Sequence, residues 1–150
     1  IGISWFSKSR NKTLPAVEDW ASVLRTIRQP IQSLQYLEKP ARIKALRELS
    51  GQRIRSSQSI DQMVDLDGFA RQVAGVRGVL TISNTTAHLA GALGIPCVVI
   101  LDNGSITNWP DLGETTPLYP STRLIRRGSD DWATTLRRGW RTLRALIPPK

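Results

Sequence analysis

The segment from residue 80 to residue 101 constrains the fold of this chain more than any other part of the sequence. A Leu-Thr-Ile sequence at 80–82 is followed by four polar residues, a stretch of small residues, a Gly-Ile-Pro sequence and an apolar run at 97–101. This order predicts a buried strand, a short helix and a second buried strand, the unit from which parallel sheets are built. It also places a helix N-terminus at the carboxyl edge of the sheet.

The rest of the chain continues the alternation of strands and helices. Apolar spacing, proline and glycine positions and candidate caps predict the following elements: a strand over 1–5, a helix opened by Leu14-Pro15 and closed by Pro30, a strand over 31–36, a helix over 41–49, a short strand near 53–55, a helix capped by Asp67 and running through Val76, a strand over 122–126, and a terminal helix started by Asp130-Asp131. We therefore predict one α/β domain over 1–150, a Rossmann-like, doubly wound, mostly parallel sheet.

Length and composition narrow the class of protein. A chain of 150 residues with 40% hydrophobic residues is expected to fold as one soluble domain, and no apolar run approaches the ~20 residues of a transmembrane segment. Because the chain opens at Ile1 inside an apparent strand, we expect a fragment of a longer protein. Cys97 is the single cysteine, which excludes an internal disulfide, predicts a buried apolar role, and is compatible with a cytoplasmic location.

The formal net charge of +9 raises the question of anionic partners. The basic residues are scattered, and no aromatic-interleaved basic stripe accompanies them, so no specific nucleic-acid partner is expected. A solvated basic surface explains the charge, and the alternative is attraction to anionic substrates or peripheral contact with an anionic membrane face.

Polar residues at the turn between the strand and helix of the 80–101 segment form the candidate site. Asn84, Thr85 and Thr86 stand where helix N–H groups and hydroxyls could bind a pyrophosphate, although ordinary capping of the helix explains the same residues equally well. His88 follows one turn later and has two interpretations. It is either a core or capping residue whose hydrogen bonds are made within the protein, or a hydrogen-bond partner of a phosphate or sugar. The residues Ala90-Gly91-Ala92 are expected to let the helix lie close to the sheet.

A basic loop after the first strand is expected at the same edge of the sheet. It contains Lys8, Arg10 and Lys12, which either converge with the candidate site or form a solvated loop. The loop is neither a P-loop nor a Gly-x-Gly-x-x-Gly turn, which disfavours nucleoside-triphosphate hydrolysis and nicotinamide binding. Asp61, Asp65 and Asp67 lack a metal-ligand pattern, so no metal is expected and capping explains them better.

Several stretches resemble the C-terminal, donor-binding half of GT-B glycosyltransferases. The similarity is to the heptosyltransferase-like family (glycosyltransferase family 9-like) and to related tetratricopeptide-repeat proteins. It rests on IGISW at 1–5, SLQY at 33–36, DLDGFA at 65–70, SNTTAHLAGALGIP at 83–96, and the Tyr119-Pro120-Ser121 and Arg123-Leu124 sequences.

The resemblance implies a Rossmann-like half of a GT-B fold that binds a nucleotide-sugar without a metal or other cofactor. By position, Lys12, Thr85 and Thr86 would hold the diphosphate, Met63 and Asp65 belong to the segment bordering the base, and Glu38 would reach the ribose. The general base of the family lies in the missing N-terminal acceptor domain, so this fragment contains no catalytic residue and is expected to be inactive alone.

The sequence departs from the family pattern at Phe6, Gly78, Asn84 and residues 102–104. Phe6 stands where the family often has Arg, and Asn84 stands where many members have Asp. A non-catalytic, degenerate GT-B domain that acts as a basic protein- or membrane-interaction module is therefore the alternative function.

Overall fold

The computed structural model describes residues 1–9, 12–57, 59–103 and 108–148. Within these ranges six strands form one sheet in which every pairing is parallel, in the order β3-β2-β1-β4-β5-β6. The strands are β1 (Gly2–Ser4), β2 (Ile31–Ser33), β3 (Ile54–Arg55), β4 (Val79–Ile82), β5 (Cys97–Leu101) and β6 (Thr122–Arg126). The strand order reverses between β1 and β4, so the predicted α/β, Rossmann-like class is confirmed.

Five helices in the described ranges connect these strands and cover both faces of the sheet. They are α1 (Val17–Leu24), α2 (Pro40–Ser50), α3 (Leu66–Ala74), α4 (Thr85–Ala92) and α5 (Trp132–Leu146). None of the helices in this part of the chain is both long and apolar enough to cross a bilayer.

Alternation along the central strands divides the core into two clusters. Leu80 and Val98 point to the face covered by α1, α2 and α5, whereas Val79 and Cys97 point to the face covered by α3 and α4. Cys97 is fully buried, which confirms its predicted packing role, and burial raises the pKa of its thiol well above the ordinary value.

Two predicted helix starts are wrong by a few residues, for reasons visible in the caps. Pro15 precedes α1, because the N–H of Ala16 is bound by the Asp19 carboxylate at 2.8 Å and the helix begins after this N-cap. Asp65, not Asp67, caps α3 and accepts a 2.7 Å hydrogen bond from the N–H of Gly68.

Other element ends also differ from the prediction. Helix α3 ends at Ala74, before Val76. Helix α5 is capped by Asp131 alone, while Asp130 forms an ion pair with Arg138.

The second strand ends at Ser33 and not at Tyr36, because Gln35 leaves the ladder to hold the end of β1. Its buried side-chain oxygen accepts hydrogen bonds from the N–H groups of Trp5 and Phe6, at 2.7 and 2.8 Å. Its amide nitrogen donates to the carbonyl of Tyr36 at 2.8 Å. Buried backbone groups need such partners, so this one side chain sets the path of the loop after β1.

Candidate functional site

The candidate site lies at the carboxyl edge of the sheet, between β1 and β4. This is the point where the strand order reverses and where parallel α/β sheets form a crevice. Three segments meet there: the loop after β1, the N-terminus of α4, and the loop between β5 and β6.

Asn84 is the N-cap of α4 and its side chain is fully used by contacts within the protein. Its side-chain oxygen accepts from the N–H of Ala87 at 3.3 Å and from the Thr81 hydroxyl at 3.2 Å. Its side-chain nitrogen donates to the Ser4 hydroxyl at 2.8 Å and to the carbonyl of Phe6 at 3.1 Å. Asn84 therefore ties the start of α4 to the end of β1.

The two threonines of α4 face different surroundings. Thr86 is completely buried, and its hydroxyl lies 3.2 Å from the carbonyl of Leu34 and 3.3 Å from the Ser4 hydroxyl. Thr85 is exposed at the first turn of the helix, and no side-chain hydrogen bond is found for it in the described ranges. Of the two hydroxyls, only that of Thr85 is available to a ligand at the edge of the sheet.

Lys12 reaches across from the loop after β1 to the turn that begins α4. Its ammonium donates to the carbonyl of Ser83 at 2.7 Å and contacts the Ser83 hydroxyl at 3.4 Å. Partial burial lowers the pKa of Lys12 below its ordinary value, since desolvation disfavours the charged form. The predicted convergence of this lysine with the start of α4 is confirmed, whereas its role in binding stays a prediction.

Lys8 is exposed and contributes only its backbone N–H, which donates to the Tyr36 hydroxyl at 3.3 Å. Arg10 lies outside the described residues.

His88 is held in an aromatic cluster with Trp109 and Tyr119 from the β5–β6 loop. The imidazole stacks on Trp109 with ring centroids 4.7 Å apart and planes 6° from parallel, and its Nδ1 lies 3.2 Å from the Tyr119 hydroxyl. The Trp109 indole N–H donates to the Ser83 hydroxyl at 2.9 Å, so Ser83 contacts both Trp109 and Lys12. Burial, and secondarily the nearby charge of Lys12, lower the pKa of His88, which favours a neutral imidazole.

Gly91 makes this cluster possible. A Cβ added at this position would lie 2.4 Å from Cγ of Tyr119, a distance that no real contact tolerates. The small residue was predicted to let α4 approach the sheet, but what Gly91 accommodates is the ring of Tyr119.

Trp109 and Tyr119 are site residues that the sequence analysis did not identify. Both lie in a Gly-, Pro- and Asp-rich connection without regular periodicity, and the one further signal was that Tyr119 belongs to a stretch that carries the family resemblance. Nothing in the local sequence predicts that this loop folds back onto α4, since that contact is made across 21 to 31 residues.

The three remaining predicted binding residues lie after β2 or before α3. Glu38 is half-buried and accepts a hydrogen bond from the Ser33 hydroxyl. Met63 is 55% exposed, and Asp65 is committed to capping α3. In the described ranges no hydrogen bond joins these residues to Lys12 or His88.

The three aspartates considered for a metal have simpler roles. Asp61 accepts from the N–H of Met63 at 2.9 Å, Asp65 caps α3, and Asp67 lies in the first turn of that helix. Across the described ranges, no group of three or more His, Cys, Asp or Glu side chains is placed to hold a metal ion.

Comparison with known proteins identifies a sequence relative and solved structures of similar fold. No protein-family model matches the chain. Protein FlbA of Caulobacter vibrioides is 34% identical over 128 residues, which are 82% of this chain and 21% of FlbA. The chain therefore spans about a fifth of the length of its relative.

Two of the similar structures are of E. coli heptosyltransferase WaaC, one with ADP and one with ADP-2-deoxy-2-fluoro heptose. They superpose with TM-scores of 0.61 and 0.62 at 16% and 15% identity. The matches cover 95% and 93% of this chain but only 43% and 42% of the heptosyltransferase chains. At this identity the likeness shows the fold, an α/β sheet like that of one part of a GT-B glycosyltransferase.

Proposed function

We propose that this chain is the donor-binding half of a metal-independent GT-B glycosyltransferase, which transfers a sugar from a nucleotide-sugar to an acceptor. The observation that carries the proposal is the position of the Lys12 ammonium, 2.7 Å from the carbonyl that precedes the N-cap of α4. The fold likeness to a heptosyltransferase studied with ADP and with an ADP-sugar analogue supports the same class of ligand.

The start of α4 and Lys12 together suit a diphosphate. The first N–H groups of a helix have no acceptor within the helix and carry partial positive charge, which favours an anion. Lys12 adds a full positive charge beside them, and the exposed Thr85 hydroxyl adds a donor that the protein itself does not use. A bound phosphate would also offset the desolvation that lowers the pKa of Lys12.

His88 is assigned to orient the ligand through a neutral imidazole. Its Nδ1 is engaged by Tyr119 and one ring face is covered by Trp109, so Nε2 is the polar atom left for a phosphate or sugar oxygen. Thr86 and Asn84 would support the site from behind, because their side chains are used to hold α4 against β1 and β2.

The contacts proposed for the nucleoside are less direct. Met63 is exposed and suits an apolar contact with the base. Glu38 would bind the ribose after giving up the hydrogen bond that it accepts from Ser33. Asp65 would position the backbone beside the base, since its carboxylate caps the start of α3.

The acceptor and the catalytic base are assigned to a second domain outside this chain, in a longer protein that includes tetratricopeptide repeats. Large apolar side chains are exposed after β2, at the start of α3 and before β6: Leu37 at 47%, Val64 at 82%, Leu66 at 58% and Leu118 at 63%. Exposed apolar surface of this kind is typical of a face that another domain covers. The chain alone is therefore expected to bind donor without completing transfer.

Calorimetric titration of the chain with ADP, UDP and GDP tests the proposal. The Lys12→Ala variant is expected to bind the preferred nucleotide about 10-fold or more weakly, because a charge-assisted hydrogen bond contributes roughly 1.5–3 kcal/mol. The Thr85→Ala variant is expected to lose several-fold in affinity, as one neutral hydrogen bond contributes about 1 kcal/mol.

Lys8→Ala is the matched control, since it removes the same charge from the same loop. Lys8 is exposed, and its ammonium makes no hydrogen bond or ion pair within the described ranges. Equal losses for Lys8→Ala and Lys12→Ala would show that binding reports net charge and not this site. If no nucleotide bound to the chain or to the longer protein, the proposed function would be wrong.

A further inference from the structure

A second concave surface lies at the opposite, amino edge of the sheet. It is a cavity of about 1070 Å³ between the start of β2, strand β3, and the C-terminal ends of α3 and α5. The site proposed above lies at the carboxyl edge, so this cavity is separate from it and the inference below does not depend on the proposed function.

The cavity is lined by cations without matching anions. The lining includes Arg55, Arg71, Arg77 and Arg144, and no aspartate or glutamate of the described ranges belongs to it. Arg77 donates to the carbonyl of Pro148. The guanidinium groups of Arg55, Arg71 and Arg144 make no hydrogen bond or ion pair with any described residue. All four arginines are exposed.

The surroundings of the cavity are basic as well. The connecting segments at this edge of the sheet, residues 25–30, 51–55, 75–78, 93–96 and 144–148, contain six arginines and no acidic residue. Acidic side chains are found instead at the helix starts of the opposite edge, where Asp65 and Asp131 act as caps. The connecting segments around the cavity therefore carry a net positive charge.

Helix dipoles account for part of this pattern only. Arg71 and Arg144 lie in the last turns of α3 and α5, where a cation stabilises the negative end of the helix. Arg55 and Arg77 lie outside these helices, so helix dipoles do not explain why four arginines line one cavity.

The wall between the arginines is apolar. Pro30, Ile60, Val76 and Ile147 line the same cavity, so an occupant meets both aliphatic surface and the guanidinium groups of exposed arginines. This combination fits a polypeptide that carries an apolar side chain flanked by carboxylates, since the guanidinium fork binds carboxylates in a bidentate geometry.

We propose that this cavity is a docking site for an acidic linear segment of a partner protein. Its carboxylates pair with Arg71, Arg77 and Arg144, and an apolar side chain inserts against Val76 and Ile147. A membrane surface is nearly planar and does not reach the walls of a recess, and a nucleic acid offers no aliphatic group for them. The shape and chemistry of the cavity therefore favour a peptide over a membrane or a nucleic acid.

The test is fluorescence anisotropy with a labelled twelve-residue peptide that contains two leucines flanked by four glutamates. A control peptide has glutamine in place of each glutamate. We expect the acidic peptide to bind the full chain at least 10-fold more tightly than the control peptide. Double substitution of Arg71→Gln and Arg144→Gln is expected to weaken binding at least 10-fold. The unfolding transition should shift only slightly, because both residues are exposed and each change removes only one helix-end cation.

Arg141→Gln is the matched control, because Arg141 is exposed on α5 one turn before Arg144 but does not line the cavity. An equal effect of Arg141→Gln and the double variant would overturn the proposal, as would equal binding of the two peptides or no binding at millimolar concentration. Binding to anionic phosphatidylserine vesicles that is lost in the double variant, with no peptide binding, would assign the surface to a membrane and also overturn it.

Discussion

Replacement of Asn84 by alanine tests how the candidate site is built. Asn84 is 7% exposed and makes four side-chain contacts, two as acceptor and two as donor. Loss of the cap on α4 costs about 1 kcal/mol. The two donated hydrogen bonds, to Ser4 and Phe6, contribute about 1 kcal/mol each.

The expected decrease in the free energy of unfolding is therefore about 3 kcal/mol. For a chain of this size each kcal/mol shifts the melting temperature by roughly 2–4 °C, so a decrease of roughly 6–12 °C is expected. The two groups that lose their bond to Asn84 each keep another partner. The Ser4 hydroxyl still contacts the Gln35 side chain, and the Phe6 carbonyl still accepts from the Gln35 amide nitrogen. This is why we do not expect the larger cost of a fully unpaired buried group.

Urea denaturation followed by tryptophan fluorescence measures the effect, and two further variants separate its parts. Asn84→Asp keeps an oxygen for the cap but loses both donors, so we expect a decrease of about 2 kcal/mol. Thr85→Ala alters the adjacent exposed residue and is expected to stay within about 0.5 kcal/mol of the unchanged chain. If Asn84→Ala were no more destabilising than Thr85→Ala, the role of Asn84 as a link between β1 and α4 would be refuted.

Two further predictions concern the aromatic cluster. Gly91→Ala places a methyl group against Tyr119, and we expect urea denaturation to show about 1–3 kcal/mol of destabilisation. The near-ultraviolet circular dichroism spectrum should also change, and an unchanged spectrum would contradict the close contact. The lowered pKa of His88 means that the unfolded chain binds a proton more readily than the folded chain, so stability should fall as the pH decreases below about 6.5. A His88→Gln variant should lose less stability over the same pH range, and identical pH profiles for the two proteins would show that His88 is not the titrating group.

Much of the fold was predictable because the local sequence patterns of several strands and helices match the way in which those elements are buried. The apolar runs of β4 and β5 are buried on both sides of a parallel sheet, and such strands read as continuous apolar segments. The terminal helix was predicted from its capping aspartate and apolar stripe, both of which are local features. Element ends were less predictable, since the choice between Asp65 and Asp67 as a cap depends on which carboxylate reaches a free N–H group.

The sequence by itself determined the α/β class and the presence of polar residues at the start of α4, because strand and helix periodicity and capping chemistry act over a few residues. Only the tertiary structure decided which of those residues face outward: Thr86 turns inward toward β2, Thr85 stays exposed, and Lys12 crosses 71 residues of sequence to reach Ser83. The same holds for Trp109 and Tyr119, whose packing on His88 depends on the path of a loop and on the missing side chain of Gly91. Contacts between distant segments carry no periodic signal, so only the folded chain reveals them.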